Sequence, residues 1–94
     1  MSTEIRIDIT DYEIQRGIYC SPTRDAISLA LTPLLPPHLS ASTTPTGIIF
    51  FHKESKIRLG EFKYPEHIAR WSRMFDQDRS NVKPISFTIT LPSV

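Results

Sequence analysis

The side chains best equipped for chemistry in this chain are its single cysteine, its three histidines and a pair of closely spaced aspartates. Cys20 lies just ahead of a predicted helix start, where the helix dipole lowers a thiol pKa and favours a thiolate nucleophile. His38, His52 and His67 are candidate general bases. No sequence pattern ties any of them to Cys20, however, and a lone cysteine beside a helix start reads as a small apolar packing residue. Each histidine stands alone, without a cysteine or carboxylate at ligand spacing, so no metal site is expected. Asp76 and Asp78 flank Gln77 as in a cation loop, but the glycine and distal glutamate of a calcium loop are missing. They read as solvated charge where a helix ends. Gly17, Gly47 and Gly60 are absorbed by a turn, a strand start and a bulge, leaving no glycine-rich phosphate cradle. The sequence therefore predicts no catalytic residue, no cofactor and no enzyme.

The elements that must carry these residues follow from hydrophobic period. Glu4–Thr10 alternates cleanly, with Ile5, Ile7 and Ile9 on one side and Arg6 and Asp8 on the other, which predicts a half-buried strand. Thr10-Asp11-Tyr12-Glu13 spells a capping box and Gly17 a stop, predicting a short helix at 11–16 pinned by Ile14 and Ile18. Ser21–Leu35 predicts the long helix of the first half, with Ser21 as cap and Pro22 in the first turn. Its Ile27, Ala30, Leu31 and Leu34 face the core, and Asp25, Ser28 and Thr32 face water.

Pro36–Thr46 has no charge, three prolines and many hydroxyls, and reads as a flexible surface loop at 36–46. Gly47–Phe51 is a short apolar strand, His52–Ser55 a polar turn, and Lys56–Tyr64 the hairpin partner. Ile57 and Leu59 are out of phase with Phe62 and Tyr64, which predicts a bulge at Gly60. Pro65 opens a second helix with a buried stripe of Ile68, Trp71 and Phe75. Pro84 begins the last strand, in which Ile85, Phe87, Ile89 and Leu91 face in. The order βαββαβ predicts a ferredoxin-like α+β fold: one domain, 1–94, with a four-stranded antiparallel sheet and two helices on one face.

The chain of 94 residues has an ordinary globular composition and a formal net charge of +1. That charge is unevenly divided: residues 53–94 are net basic and residues 1–52 net acidic. No run approaches the ~20 apolar residues of a membrane helix, no secretory signal pattern is visible, and one cysteine fits a reducing compartment. A cytoplasmic protein with no membrane partner is expected.

Between the faces of Gly47–Phe51, Ile48 and Phe50 point one way and Ile49 and Phe51 the other. With helices on one side only, one pair is left exposed, and in the usual strand order this strand is a sheet edge. A two-faced apolar edge invites another chain, a protein partner or a second copy in a homodimer. The alternative is that the 36–46 loop folds over it. The expected partner-binding residues are Ile48, Phe50 and Phe51, with Arg58 and Lys63 on the hairpin and Arg70 and Arg73 on the second helix. A nucleic-acid-binding module using Lys56, Arg58, Lys63, Arg70, Arg73 and Lys83 is the other reading.

The opening strand, the EIQRG helix end, the DAISLAL helix and the late FDQDRSNVKPISFTITL run together resemble small proteins carried by bacteriophages and prophages. Such proteins often carry a Cys-Pro pair before the Ile-x-Leu-Ala-Leu run, where this chain has Asp25-Ala26. The resemblance implies a stoichiometric accessory protein that blocks a host defence complex, as anti-CRISPR inhibitors do. It implies no catalytic residue.

Overall fold

The computed structural model describes residues 3–92, so residues 1–2 and 93–94 of the expected domain lie outside the described residues. Five strands and three helices follow one another as β1 (Thr3–Ile9), α1 (Asp11–Arg16), α2 (Ala26–Leu31), β2 (Leu39–Thr44), β3 (Gly47–His52), β4 (Arg58–Lys63), α3 (Glu66–Gln77) and β5 (Ile85–Leu91). Short 3-10 turns at Thr32–Leu34 and Arg79–Asn81 extend α2 and follow α3. The strands form two antiparallel sheets, β1-β5 and β2-β3-β4. The four-stranded ferredoxin-like sheet is thus replaced by a pair and a triplet.

The replacement has a local cause. The stretch expected to be a mobile loop contains β2, which pairs with β3 from Leu39↔His52 to Thr44↔Gly47. Its hydroxyls do not prevent this, because β-branched threonine suits a pleated strand. Leu39, Ala41 and Thr43 face the core while Ser40, Ser42 and Thr44 alternate outward. The Pro45-Thr46 turn is tight: Thr44 Oγ1 accepts from the Thr46 and Gly47 amides at 3.2 and 3.0 Å. With β2 on one flank and β4 on the other, β3 is the centre strand and not the expected edge.

The second correction concerns α2. It starts at Ala26, four residues later than a Ser21 cap suggests. Asp25 is the cap, its Oδ1 accepting the Ser28 amide at 2.8 Å. Ser21 instead closes a separate turn, its Oγ accepting the Arg24 amide at 3.1 Å, just after Cys20 takes the left-handed conformation at φ 56°. Asp25 and Ser28, expected to face water, are buried.

Leu34, expected to face the core, is exposed; most of the remaining pattern agrees with the structure. Thr10 and Glu13 form the full capping box of α1, and Ile14 is buried beneath it, although Ile18 is exposed. Gly17 closes α1 at an ordinary φ of −64°. A Cβ there would lie 2.7 Å from the Ala26 nitrogen and from Phe75 Cζ, so close packing, not backbone freedom, calls for glycine. On β4, Phe50 pairs with Gly60 and Phe51 with Arg58, leaving Leu59 as the extra residue of a bulge beside Gly60. The bulge turns Leu59, Phe62 and Tyr64 toward the core and leaves Ile57 exposed. β1 and β5 pair along their full length, Thr3↔Leu91 to Ile9↔Ile85. Their inward isoleucines, Phe87 and Leu91 meet Ile27, Leu31, Ile48, Phe50, Ile68, Trp71 and Phe75 in one core. Trp71 satisfies its indole by donating to the Lys83 carbonyl at 2.8 Å, and its ring stacks on Phe75.

Arg79 closes the helical layer. Its guanidinium donates to the Ile14 and Gln15 carbonyls at the end of α1 and to the Tyr19 hydroxyl at 2.9 Å, while lying over the Tyr19 ring. One side chain thereby caps α1 and ties the exit of α3 to it.

Candidate functional site

The residues expected to bind a partner are divided by the sheet. Ile48 and Phe50 have no solvent exposure; they sit under the helices on the centre strand and cannot touch a partner in the folded protein. The opposite face of the same sheet is open. There Phe51 pairs with Ser40 and Arg58, and Ile49 with Ser42 and Glu61, while Lys63 pairs with Gly47 at the strand end. Paired residues share a face, so two half-buried apolar side chains form the centre of a surface with hydroxyls on one side and charge on the other. Arg58 reaches Glu61 at 3.4 Å. Phe51, Arg58 and Lys63 therefore share one face of the sheet, with Ile49 in the place assigned to Ile48 and Phe50.

Arg70 and Arg73 lie elsewhere, on the exposed stripe of α3, one turn apart and beside the exposed Met74. Arg73 pairs loosely with Glu66 at 3.5 Å. These two arginines and the sheet residues belong to separate elements, and the buried stripe of α3 lies toward the core between them.

A second feature has no counterpart in the sequence reading. Cys20, Ser21 and Pro22 form one wall of a cavity of about 330 Å³, Thr43–Pro45 another, and Ser72 and Asp76 of α3 a third, with Asp25 also lining it. Cys20 donates its amide to Asp76 Oδ1 at 2.9 Å. Asp25 is almost fully buried: Oδ1 caps α2, and Oδ2 accepts the Thr43 hydroxyl at 2.6 Å. Burial pushes the Asp25 carboxyl above its ordinary value, more than the Thr43 and Ser28 donors pull it down, and the Asp76 charge adds to the rise. Tyr64 sits behind this group with its hydroxyl buried and unpartnered; burial, and then the charges of Asp25 and Asp76, push its phenol well up.

Of these residues the sequence singled out Cys20 and Asp76, but for other reasons. Asp25 stands directly before the AISLAL run, which is a cap signature, and that signal was available. Thr43 and Tyr64 come from further segments and join Ser72, one turn before Asp76 on α3, only through the fold. Among the described residues, no three His, Cys, Asp or Glu side chains gather as metal ligands, and no helix is long and apolar enough to cross a membrane.

Comparison with known proteins gives no matching family model, no matching curated protein and no matching solved structure.

Proposed function

We propose that this chain is a small accessory protein that acts in the host cytosol by stoichiometric protein–protein binding, inhibiting a host defence complex. The observation that supports the reading is the outer face of the three-stranded sheet. Ile49 and Phe51 lie at its centre without a covering layer, next to Arg58 and Lys63. An apolar centre with a charged rim is the anatomy of a protein interface, and the cations favour an acidic partner surface. The exposed arginines of α3 offer a second contact.

The same face favours one other reading. An aromatic on an open strand beside cations and serine hydroxyls can stack a base and hold phosphates, as single-strand binders do.

Affinity capture from host lysate, with and without nuclease, separates the two. Protein binding predicts a stoichiometric partner that survives nuclease and is lost in Phe51→Asp and in the Arg58→Glu/Lys63→Glu pair. Capture that vanishes with nuclease and weakens steeply with salt transfers the assignment to nucleic acid. Capture untouched by all of these variants removes the sheet face from consideration.

A further inference from the structure

The cavity beside Cys20 is one-sided in charge. Asp25 and Asp76 both line it, and among the described residues the ion pairs involve other groups, Arg6–Asp8, Arg58–Glu61 and Arg73–Glu66. Each carboxylate oxygen holds two acceptor positions, and the hydrogen bonds from Cys20, Ser28 and Thr43 fill only some of them.

One hydroxyl on the cavity wall is also unfilled. Ser72 is 5% exposed and lines the cavity, yet its Oγ makes none of the side-chain hydrogen bonds found among the described residues. A polar side chain this buried is normally paired, so the Ser72 hydroxyl is open to a ligand in the cavity it lines.

A ligand complementary to this wall brings positive charge and several N–H donors. The ring carbons of Pro22 and Pro45 on the walls suit an aliphatic stem. At about 330 Å³ the volume lies at the lower end of small-molecule pockets, roughly 300–1,000 Å³. We propose that this cavity binds an alkyl cation, a guanidinium or primary ammonium on a short aliphatic stem, with Asp76 and Asp25 taking the charge and Ser72 a further hydrogen bond. The cation is either a free amine or a basic side chain presented by another polypeptide. This site is separate from the docking faces above, so capture can fail while cation binding holds, and the reverse.

The test is an amide NMR titration of the full chain with butylguanidinium and butylammonium, with n-butanol as the neutral control. Saturable shifts of the Cys20, Ser28 and Thr43 amides with a cation, absent with butanol, are expected. Asp76→Asn keeps the Oδ1 acceptor for Cys20 and should lower the affinity at least about tenfold, the scale of one charge-assisted hydrogen bond. Ser72→Ala should lower it less, and reads the same site if Asp76→Asn is poorly folded. A blocked Gly-Arg-Gly peptide that binds at least as tightly as butylguanidinium assigns the cation to a polypeptide side chain; its exclusion assigns it to a free amine. No saturable shift with either cation, an equal response to butanol, or affinity unchanged in both variants overturns the proposal.

Discussion

Thr43 Oγ1 lies 2.6 Å from Asp25 Oδ2, a buried hydrogen bond that fastens β2 to the first turn of α2. The Thr43 amide also donates to the Pro22 carbonyl at 2.7 Å, as does the Ser28 hydroxyl at 3.1 Å. The strand that covers β3 is thus held on both sides, by the β3 ladder and by the turn that precedes α2. Removing the hydroxyl isolates its effect. Thr43→Val keeps shape and strand preference but strips a donor from a buried carboxylate, at a cost of about 1–3 kcal/mol. Thr43→Ser should recover most of it. Urea unfolding of the three proteins measures this, and a valine variant as stable as the parent would show that the bond contributes nothing.

Asp25 makes stability depend on pH in an unusual direction. Its folded pKa is raised above the ordinary 3.8, by burial first. The folded state therefore holds this proton more tightly than the unfolded one. Its contribution is most favourable below pH 3.8 and is lost as pH rises through the raised value. Asp8, held low by the Ser86 hydroxyl and then by Arg6, and Asp78, held low by the Ser80 hydroxyl and amide, act oppositely, losing stabilisation as pH falls below 3.8. Asp25→Asn retains a capping oxygen. In thermal melts from pH 3.8 upward, it should remove the Asp25 share of the decline in Tm on raising pH. A parallel decline in the variant refutes this.

Tyr19 reports on the Arg79 clamp. Its phenol is held below the ordinary value, chiefly by the Arg79 backbone amide and then by the guanidinium. Arg79→Ala keeps the amide and removes the guanidinium, so the Tyr19 ring signal should titrate at higher pH. The Ile14 and Gln15 carbonyls lose their donor as well, and a loss of about 1–3 kcal/mol is expected from the freed carbonyls. Arg79→Lys cannot reproduce the fork and should not restore the Tyr19 titration. A Tyr19 titration unmoved in both variants would count against the clamp.

Neighbouring phenylalanines on β3 should respond in opposite ways. Phe50→Asp places a charge among apolar side chains on the centre strand, a penalty of several kcal/mol set against a total stability of roughly 5–15 kcal/mol. It should unfold the protein. Phe51→Asp, on the open face, should leave the circular dichroism spectrum and melting cooperativity intact. A folded Phe50→Asp variant would contradict the placement of β3 between β2 and β4.

Much of the framework was readable because it is written in local period. The isoleucines of β1, the capping box of α1, the Ile68-Trp71-Phe75 stripe and the alternation of β5 each specify an element without reference to the rest. The bulge beside Gly60 was readable from a phase conflict between two pairs of apolar residues. β2 was not, since a strand of Ser, Thr and Ala between prolines looks like a loop until its inward Leu39, Ala41 and Thr43 find β3. The start of α2 was misread because Ser21-Pro22 imitates a cap and competes with Asp25. Of the cavity only the Ser72–Asp76 pair, one turn apart on α3, has a readable spacing; tertiary packing alone brings Cys20, Asp25 and Thr43 to it.

The engagement of β2 bears on self-association. An outermost strand can template the addition of identical chains when its lateral amides are vacant. Here the Leu39 amide is taken by the Pro36 carbonyl at 3.1 Å and the Thr43 amide by that of Pro22, which leaves Ala41 alone between two occupied positions. Prolines at 37 and 45 bracket the strand. A strand added along this side would therefore meet amides already occupied by the chain's own carbonyls.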